Sequence, residues 1–357
     1  MPNDRITLKY KPDFERAQKY WDAFWAHEII DRPPAIIRVD PQMRDGYISS
    51  VQPVTAEFGK SIQKIDRYLE ETLFLGEAMP GFRPGFGPDQ MAAFCGAPLT
   101  VSPDSENTSW SKKIVDDWVA ALPLTIEEDN PTWRRMKKYH KLAEQHTRGK
   151  CLLYNIDMHS NIDLLEGLRG AQRLLFDIID TPELVRKALA DAQKLFFKVY
   201  NEFWQYGDKG RLGSSSWLNL YSRRKYNPIQ ADFICMLNPE MVRSFILPAL
   251  EAEAAFLDNA CFHLDGPDAL RHLNDILAID GIEAFQWVPG AGSRPQIEWP
   301  EVLQKIHSAG KATIIYATPD QIKAIHKQFP PNLIVYDTTV RTEKQARDLL
   351  DWLRKNT

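Results

Sequence analysis

Two short strings place an imidazole and a carboxylate two residues apart: His263 and Asp265 in Cys-Phe-His-Leu-Asp-Gly-Pro, and Asp157 and His159 in Tyr-Asn-Ile-Asp-Met-His-Ser-Asn. On a strand, residues i and i+2 project to the same side, so each pair can present both groups to one space. An imidazole beside a carboxylate makes a tuned acid–base pair, or two ligands for a divalent metal. His263, Asp265, Asp157 and His159 are therefore the catalytic candidates, and His263 and Asp265 the ligands if a metal is held. A plainer alternative stands beside each pair. Asp265 can cap a helix starting at Pro267 while His263 is a hydrogen-bonded core residue. Ser160 and Asn161 can cap the next helix while Asp157 bonds loop amides.

Further polar and aromatic residues stand where apolar runs end. Gln286 and Trp287 close one run, with Trp287 a wall for a planar substrate or else a core ring. Trp217, Asn219, Tyr221, Arg223 and Arg224 follow another; aromatics beside arginines suit an anionic substrate, whose carboxylates a guanidinium fork can take. Tyr316 and Asp337 end two more runs. The substrate-binding candidates are thus Trp217, Tyr221, Arg223, Gln286, Trp287, Tyr316 and Asp337. The Gly290/Gly292 loop is not a GxGxxG fingerprint, and no P-loop, HExxH or serine nucleophile elbow occurs, so no nucleotide cofactor is expected. Cys261 and His263 share one strand, which disfavours a Cys–His nucleophile.

The elements that must position these residues alternate. Apolar runs at Cys261–Leu264, Ile282–Val288, Ala312–Tyr316 and Leu333–Tyr336 are each followed by a helix signal, such as Thr318-Pro-Asp or the stop at Gly310. Four strand-then-helix units argue for a parallel sheet buried on both faces. Leu152–Ile156 and Leu212–Trp217 add two strands, and Ala35–Val39 and Thr72–Leu75 two weaker ones. The total of eight is the number that closes a (β/α)8 TIM barrel. Asp232–Met236 reads as a short extended segment leading into a helix at Asn238. The turn-rich string Pro80–Pro88 reads as a loop of the kind that covers active sites. Residues 1–150 are read as an N-terminal elaboration with the first strands, and 151–357 as the clear alternation, within a single domain.

The 44 basic and 48 acidic residues leave a net charge of −4, with no basic cluster that calls for nucleic acid or a membrane surface. Cys95, Cys151, Cys235 and Cys261 are scattered, so a reducing compartment and no disulfide framework are expected. No signal-peptide pattern and no spanning apolar run is read, which makes the cytoplasm the expected location.

Asp177-Ile-Ile-Asp-Thr-Pro-Glu-Leu, Leu237-Asn-Pro-Glu-Met with its helix to Leu247-Pro248, and His263-Leu-Asp-Gly together resemble the uroporphyrinogen decarboxylase superfamily, which includes corrinoid methyltransferases. The resemblance covers residues 150–355 well and 15–120 loosely. It implies a (β/α)8 barrel with an N-terminal elaboration and an enzyme handling a small or medium organic substrate. Methyl transfer with a corrinoid protein as partner leads, with zinc as the cofactor it implies. A cofactor-independent decarboxylase of a carboxylated, tetrapyrrole-like substrate is the alternative. A non-catalytic barrel binding a corrinoid protein or tetrapyrrole is the third reading. The Arg-Gln-Ala-Gly-Arg string of the decarboxylases is missing, and where the methyltransferases carry His-x-Cys-Gly this chain has His263-Leu264-Asp265-Gly266, with no cysteine after Cys261. Aspartate in place of cysteine makes any metal site harder.

Overall fold

A computed structural model describes residues 6–44, 57–101 and 109–357. Its strands are β1 (Ala35–Val39), β2 (Leu73–Gly76), β3 (Gly81–Phe82), β4 (Leu99–Val101), β5 (Ser109–Ser111), β6 (Leu152–Leu153) and β7 (Ser214–Ser215). They continue with β8 (Tyr221–Ser222), β9 (Tyr226–Gln230), β10 (Asn259–Asp265), β11 (Ala284–Val288), β12 (Ala312–Tyr316) and β13 (Ile334–Val340). A mixed α/β fold results, its main sheet having seven strands in the order β2-β1-β13-β12-β11-β10-β9. All neighbours pair parallel except β1 and β2, which are antiparallel. The parallel strands are buried almost throughout, as strands covered on both faces must be. Helices Leu273–Leu277, Pro300–Ser308 and Pro319–Ile325 make the crossovers between β10 and β13. Thr318 and Thr342 each close a capping box with a glutamine three residues on, which fixes where the last two long helices start.

Two expected strands change character. The run at Thr72–Leu75 becomes β2, lying antiparallel at the sheet edge and so outside the parallel series. The run at Leu212–Trp217 shrinks to β7, because Leu212 ends a helix and Gly213 turns the chain at φ 79°. The strand in the main sheet is instead β9, whose Tyr-Asn-Pro-Ile-Gln lacks an apolar run. Pro228 is tolerated there because β9 lies at the end of the strand order, where one side needs no ladder donor. Asp232–Met236 is not extended but a 3-10 helix. The string at 80–88 contains β3, which pairs parallel with β6.

The N-terminal helix Phe14–Trp25 lies over β8: Trp25 donates to the Tyr221 carbonyl at 2.7 Å, and Trp21 to the Glu77 carbonyl at 3.0 Å. A buried ion pair fastens the entry to β1. Arg32 meets both Glu77 oxygens at 2.6 and 2.9 Å, and Glu77 also accepts from the Ala35 amide at 2.8 Å. The four cysteines carry no disulfide. Among the described residues no helix is long and apolar enough to cross a membrane.

Candidate functional site

Parallel pairing sets three polar residues in one row. His263 on β10 lies opposite Gln230 on β9 and Gln286 on β11. The alternation of each strand then sends His263, Asp265 and Gln286 to one side, at the carboxyl ends of the strands where βα loops build sites. The His263 Nδ1–H donates to Gln286 Oε1 at 2.5 Å, since an amide oxygen can only accept. The Gln286 amide nitrogen in turn donates to the Tyr316 hydroxyl at 2.8 Å. This chain fixes the tautomer and leaves the Nε2 lone pair facing the carboxylates. Asp232, at the start of the 3-10 helix after β9, stands 4.0 Å from that Nε2. Its Oδ1 is enclosed and accepts no hydrogen bond. Atoms of Asp232, His263 and Asp265 lie within 4.8 Å of one another.

Such a donor set fits a metal. One imidazole and two carboxylates leave open coordination positions, as catalytic zinc sites do, and the Nδ1 hydrogen bond is the orientation a ligating histidine commonly has. The set is harder than a thiolate site and also suits other divalent ions. Burial raises the Asp265 pKa above the ordinary carboxylate range, a cost that a cation would reverse.

The second pair adjoins the first through Asp232. Burial alone would lower the His159 pKa, but Asp157, Asp163, Asp232 and Asp89 outweigh it and hold it above its usual value. Asp89 lies 3.8 Å from the His159 ring. Asp163 accepts from the backbone amides of Asp232 and Phe233 at 2.9 and 3.0 Å, which holds the turn carrying Asp232. Burial, then the Asp232 charge, pushes the Asp163 carboxyl up to about 7. Asp157 accepts from Gln230 at 3.4 Å and has Arg83 at 4.0 Å.

Trp217 stands edge-on to the His263 ring with centroids 5.0 Å apart. With Gln286, Tyr316, Asp337, Asn219 and Arg38 it lines an outer cavity of about 580 Å³. Asp337 forms a buried ion pair with Arg38 and accepts from Asn219 at 3.4 Å. Asn219 takes the left-handed conformation at φ 59°, which asparagine tolerates better than most residues.

Three expected wall residues lie elsewhere. The β7–β8 hairpin carries Tyr221 under the N-terminal helix, fully buried, its hydroxyl donating to the Leu212 carbonyl and accepting from Gln18, both at 2.7 Å. Arg223 follows it outward to an exposed pair with Asp22 at 3.2 Å. Trp287 has the opposite parity to Gln286, so it packs in the core against Trp299 at 5.4 Å. Arg169, on the helix Asn161–Arg169, pairs with Asp177 at 2.6 Å. Sequence reasoning missed Asp232, Asp163, Arg38 and Arg83. The charged residue inside the apolar run Ala-Ile-Ile-Arg-Val was a legible signal for Arg38. Asp232 carried none, because its place depends on β9.

No family model matches this chain, and no curated protein matches it. Among solved structures it is similar to a methyltransferase from Methanosarcina mazei, with a TM-score of 0.58 and 12% identity over 95% of this chain and 98% of that one. At that identity the likeness is one of fold: two chains of similar length share an α/β architecture.

Proposed function

We propose that the chain is a methyltransferase-like enzyme of the uroporphyrinogen decarboxylase superfamily, its strands closed into a (β/α)8 barrel with the site in its mouth. Closure is supported by bonds that tie the β3–β6 pair to the β9 end of the sheet. The β3–β6 pair continues through the Asn155 amide, 2.8 Å from the Ser215 carbonyl of β7, and the Asn155 side chain, 2.6 Å from the Tyr226 carbonyl of β9. One observation carries the functional reading: an enclosed, unsatisfied Asp232 oxygen faces the free Nε2 of an imidazole whose other nitrogen is already fixed. Asp232, His263 and Asp265 would hold a divalent ion, zinc first. Bound there, it would supply Lewis-acid activation of a substrate heteroatom.

The side chains do the rest. Gln286 and Tyr316 hold His263 in its donor tautomer. Trp217 gives the reacting group an apolar wall beside the imidazole. His159, whose pKa its ring of carboxylates holds above the usual value, can give a proton and take it back. A corrinoid protein is the methyl-carrying partner in this reading. Decarboxylation is the competing chemistry, favoured by the buried Arg38 and Arg83 near the mouth.

Metal content of the purified protein, read by mass spectrometry, tests the proposal. Stoichiometric zinc or another divalent ion is expected in the wild type and is lost in His263→Ala and Asp232→Asn. Demethylation of methylcobalamin, followed by its visible spectrum, should fall with it. A folded wild type that stays metal-free after incubation with zinc overturns the metal-dependent reading and leaves acid–base decarboxylation.

A further inference from the structure

We propose that the Tyr316 hydroxyl donates a hydrogen bond to an uncharged oxygen of the substrate, a carbonyl, alcohol or ether, held in the outer cavity beside His263. This names a substrate class for the site proposed above and rests on that reading for the tautomer of His263, while its test reads ligand binding and not the metal.

The direction of one hydrogen-bond chain carries the argument. With the His263 Nε2 turned toward the carboxylates, Nδ1 holds the hydrogen and gives it to Gln286 Oε1 at 2.5 Å. Gln286 is then left with its amide hydrogens to offer, and one goes to the Tyr316 oxygen at 2.8 Å. A phenol has one hydrogen of its own to give, and here its oxygen is the acceptor. Among the described residues no side chain or carbonyl accepts that Tyr316 hydrogen. Burial, then the charge of Asp337, holds the Tyr316 pKa above its usual value, so the hydroxyl keeps its hydrogen at neutral pH. Tyr316 lines the outer cavity of about 580 Å³, a volume in the range that encloses small-molecule ligands. An oriented donor therefore opens on the space a substrate would fill.

The surroundings set the class of acceptor. The cations of the cavity wall are already matched: Arg38 is paired with Asp337, and Arg44 with Asp40 at 2.7 Å and Glu71 at 2.8 Å. Asn219 is committed to Asp337, and Gln321 closes the capping box with Thr318. A carboxylate placed on Tyr316 would gain no unpaired cation from these groups and would face Asp337, the charge that already bears on the hydroxyl. A hydrocarbon would displace water and leave the Tyr316 hydrogen without an acceptor, which is unfavourable once the group is enclosed. An uncharged oxygen satisfies the hydrogen and brings no charge. Trp217, Met43 and Ala317 give the body of such a molecule an apolar wall.

Thermal unfolding with acetophenone, α-methylstyrene and benzoate tests the proposal, since these molecules of similar shape carry a ketone, a hydrocarbon and a carboxylate. In the wild type acetophenone should raise the Tm saturably, and by more than either of the others at equal concentration. Tyr316→Phe removes the hydroxyl and keeps the ring. It should weaken acetophenone binding about three- to tenfold, the worth of one neutral hydrogen bond, and should not weaken α-methylstyrene binding. Equal responses to ketone and hydrocarbon, a stronger response to benzoate, no response to acetophenone, or undiminished ketone binding in a folded Tyr316→Phe would each overturn it. If that variant does not fold, the ketone-against-hydrocarbon difference in the wild type decides alone. Metal content measured on the same samples separates the two proposals. A metal-loaded wild type without ketone preference overturns this one alone, and a ketone preference in a protein that takes up no metal overturns the metal centre alone.

Discussion

Glu253 shows how a single buried group sets a pH response. It lies fully buried on the helix Leu247–Phe256, with the Asn161 amide 3.3 Å from both of its oxygens. Burial pushes its carboxyl up to about 8, only partly offset by Ser160 and Asn161. The folded chain therefore holds a proton that the unfolded chain, with a value of 4.5, has released. The stabilisation is complete below the unfolded value and is lost as pH rises through the folded one. Wild-type stability should then fall with pH across this window by at most about 1.4 kcal/mol per unit from this group. Glu253→Gln should flatten that fall, read by urea unfolding at about pH 5 and about pH 8. An unchanged slope would show that Glu253 ionises normally in the fold.

At the scale of elements, the site depends on how closely β3 approaches its neighbour. A Cβ on Gly81 would stand 1.8 Å from the Tyr154 ring, whose hydroxyl is tied to the Met79 carbonyl at 2.6 Å. The ring cannot retreat without leaving that bond and entering the small chamber that it lines with Arg38 and Arg83. Gly81→Ala should cost about 1–3 kcal/mol through overpacking, measured by denaturant unfolding. The same scale explains which elements were legible. β10 to β13 read correctly because each is an apolar run followed by a helix signal. β9 did not, since an edge strand tolerates proline and polar residues that a central strand excludes. Losing β9 meant losing Asp232, which begins the turn after it.

The whole molecule is fastened where its N-terminal segment enters the sheet. Arg32 and Glu77, both fully buried, join the start of β1 to the chain leaving β2, and Arg32 lies over the Tyr20 ring at 4.5 Å. Breaking the pair leaves an uncompensated buried charge. Glu77→Gln alone should cost about 3–5 kcal/mol, whereas Arg32→Met with Glu77→Leu should cost clearly less. Denaturant midpoints of the three proteins check this, and equal losses in the single and double variants would contradict it.

The amino-acid sequence by itself determined the parallel α/β character, the strand-end location of the polar residues and the pairing of His263 with Asp265, because all three follow from local periodicity and i, i+2 spacing. It also supplied the alternation that separates Gln286 from Trp287, though only the register says which parity faces the site. Tertiary structure alone decided that Asp232 joins His263, that Arg38 and Arg83 share a chamber, and that Tyr221 and Arg223 leave the site with the β7–β8 hairpin. Those outcomes rest on contacts between residues far apart in the chain. Their distances are set by strand register and by the closing of long loops, which no local pattern encodes.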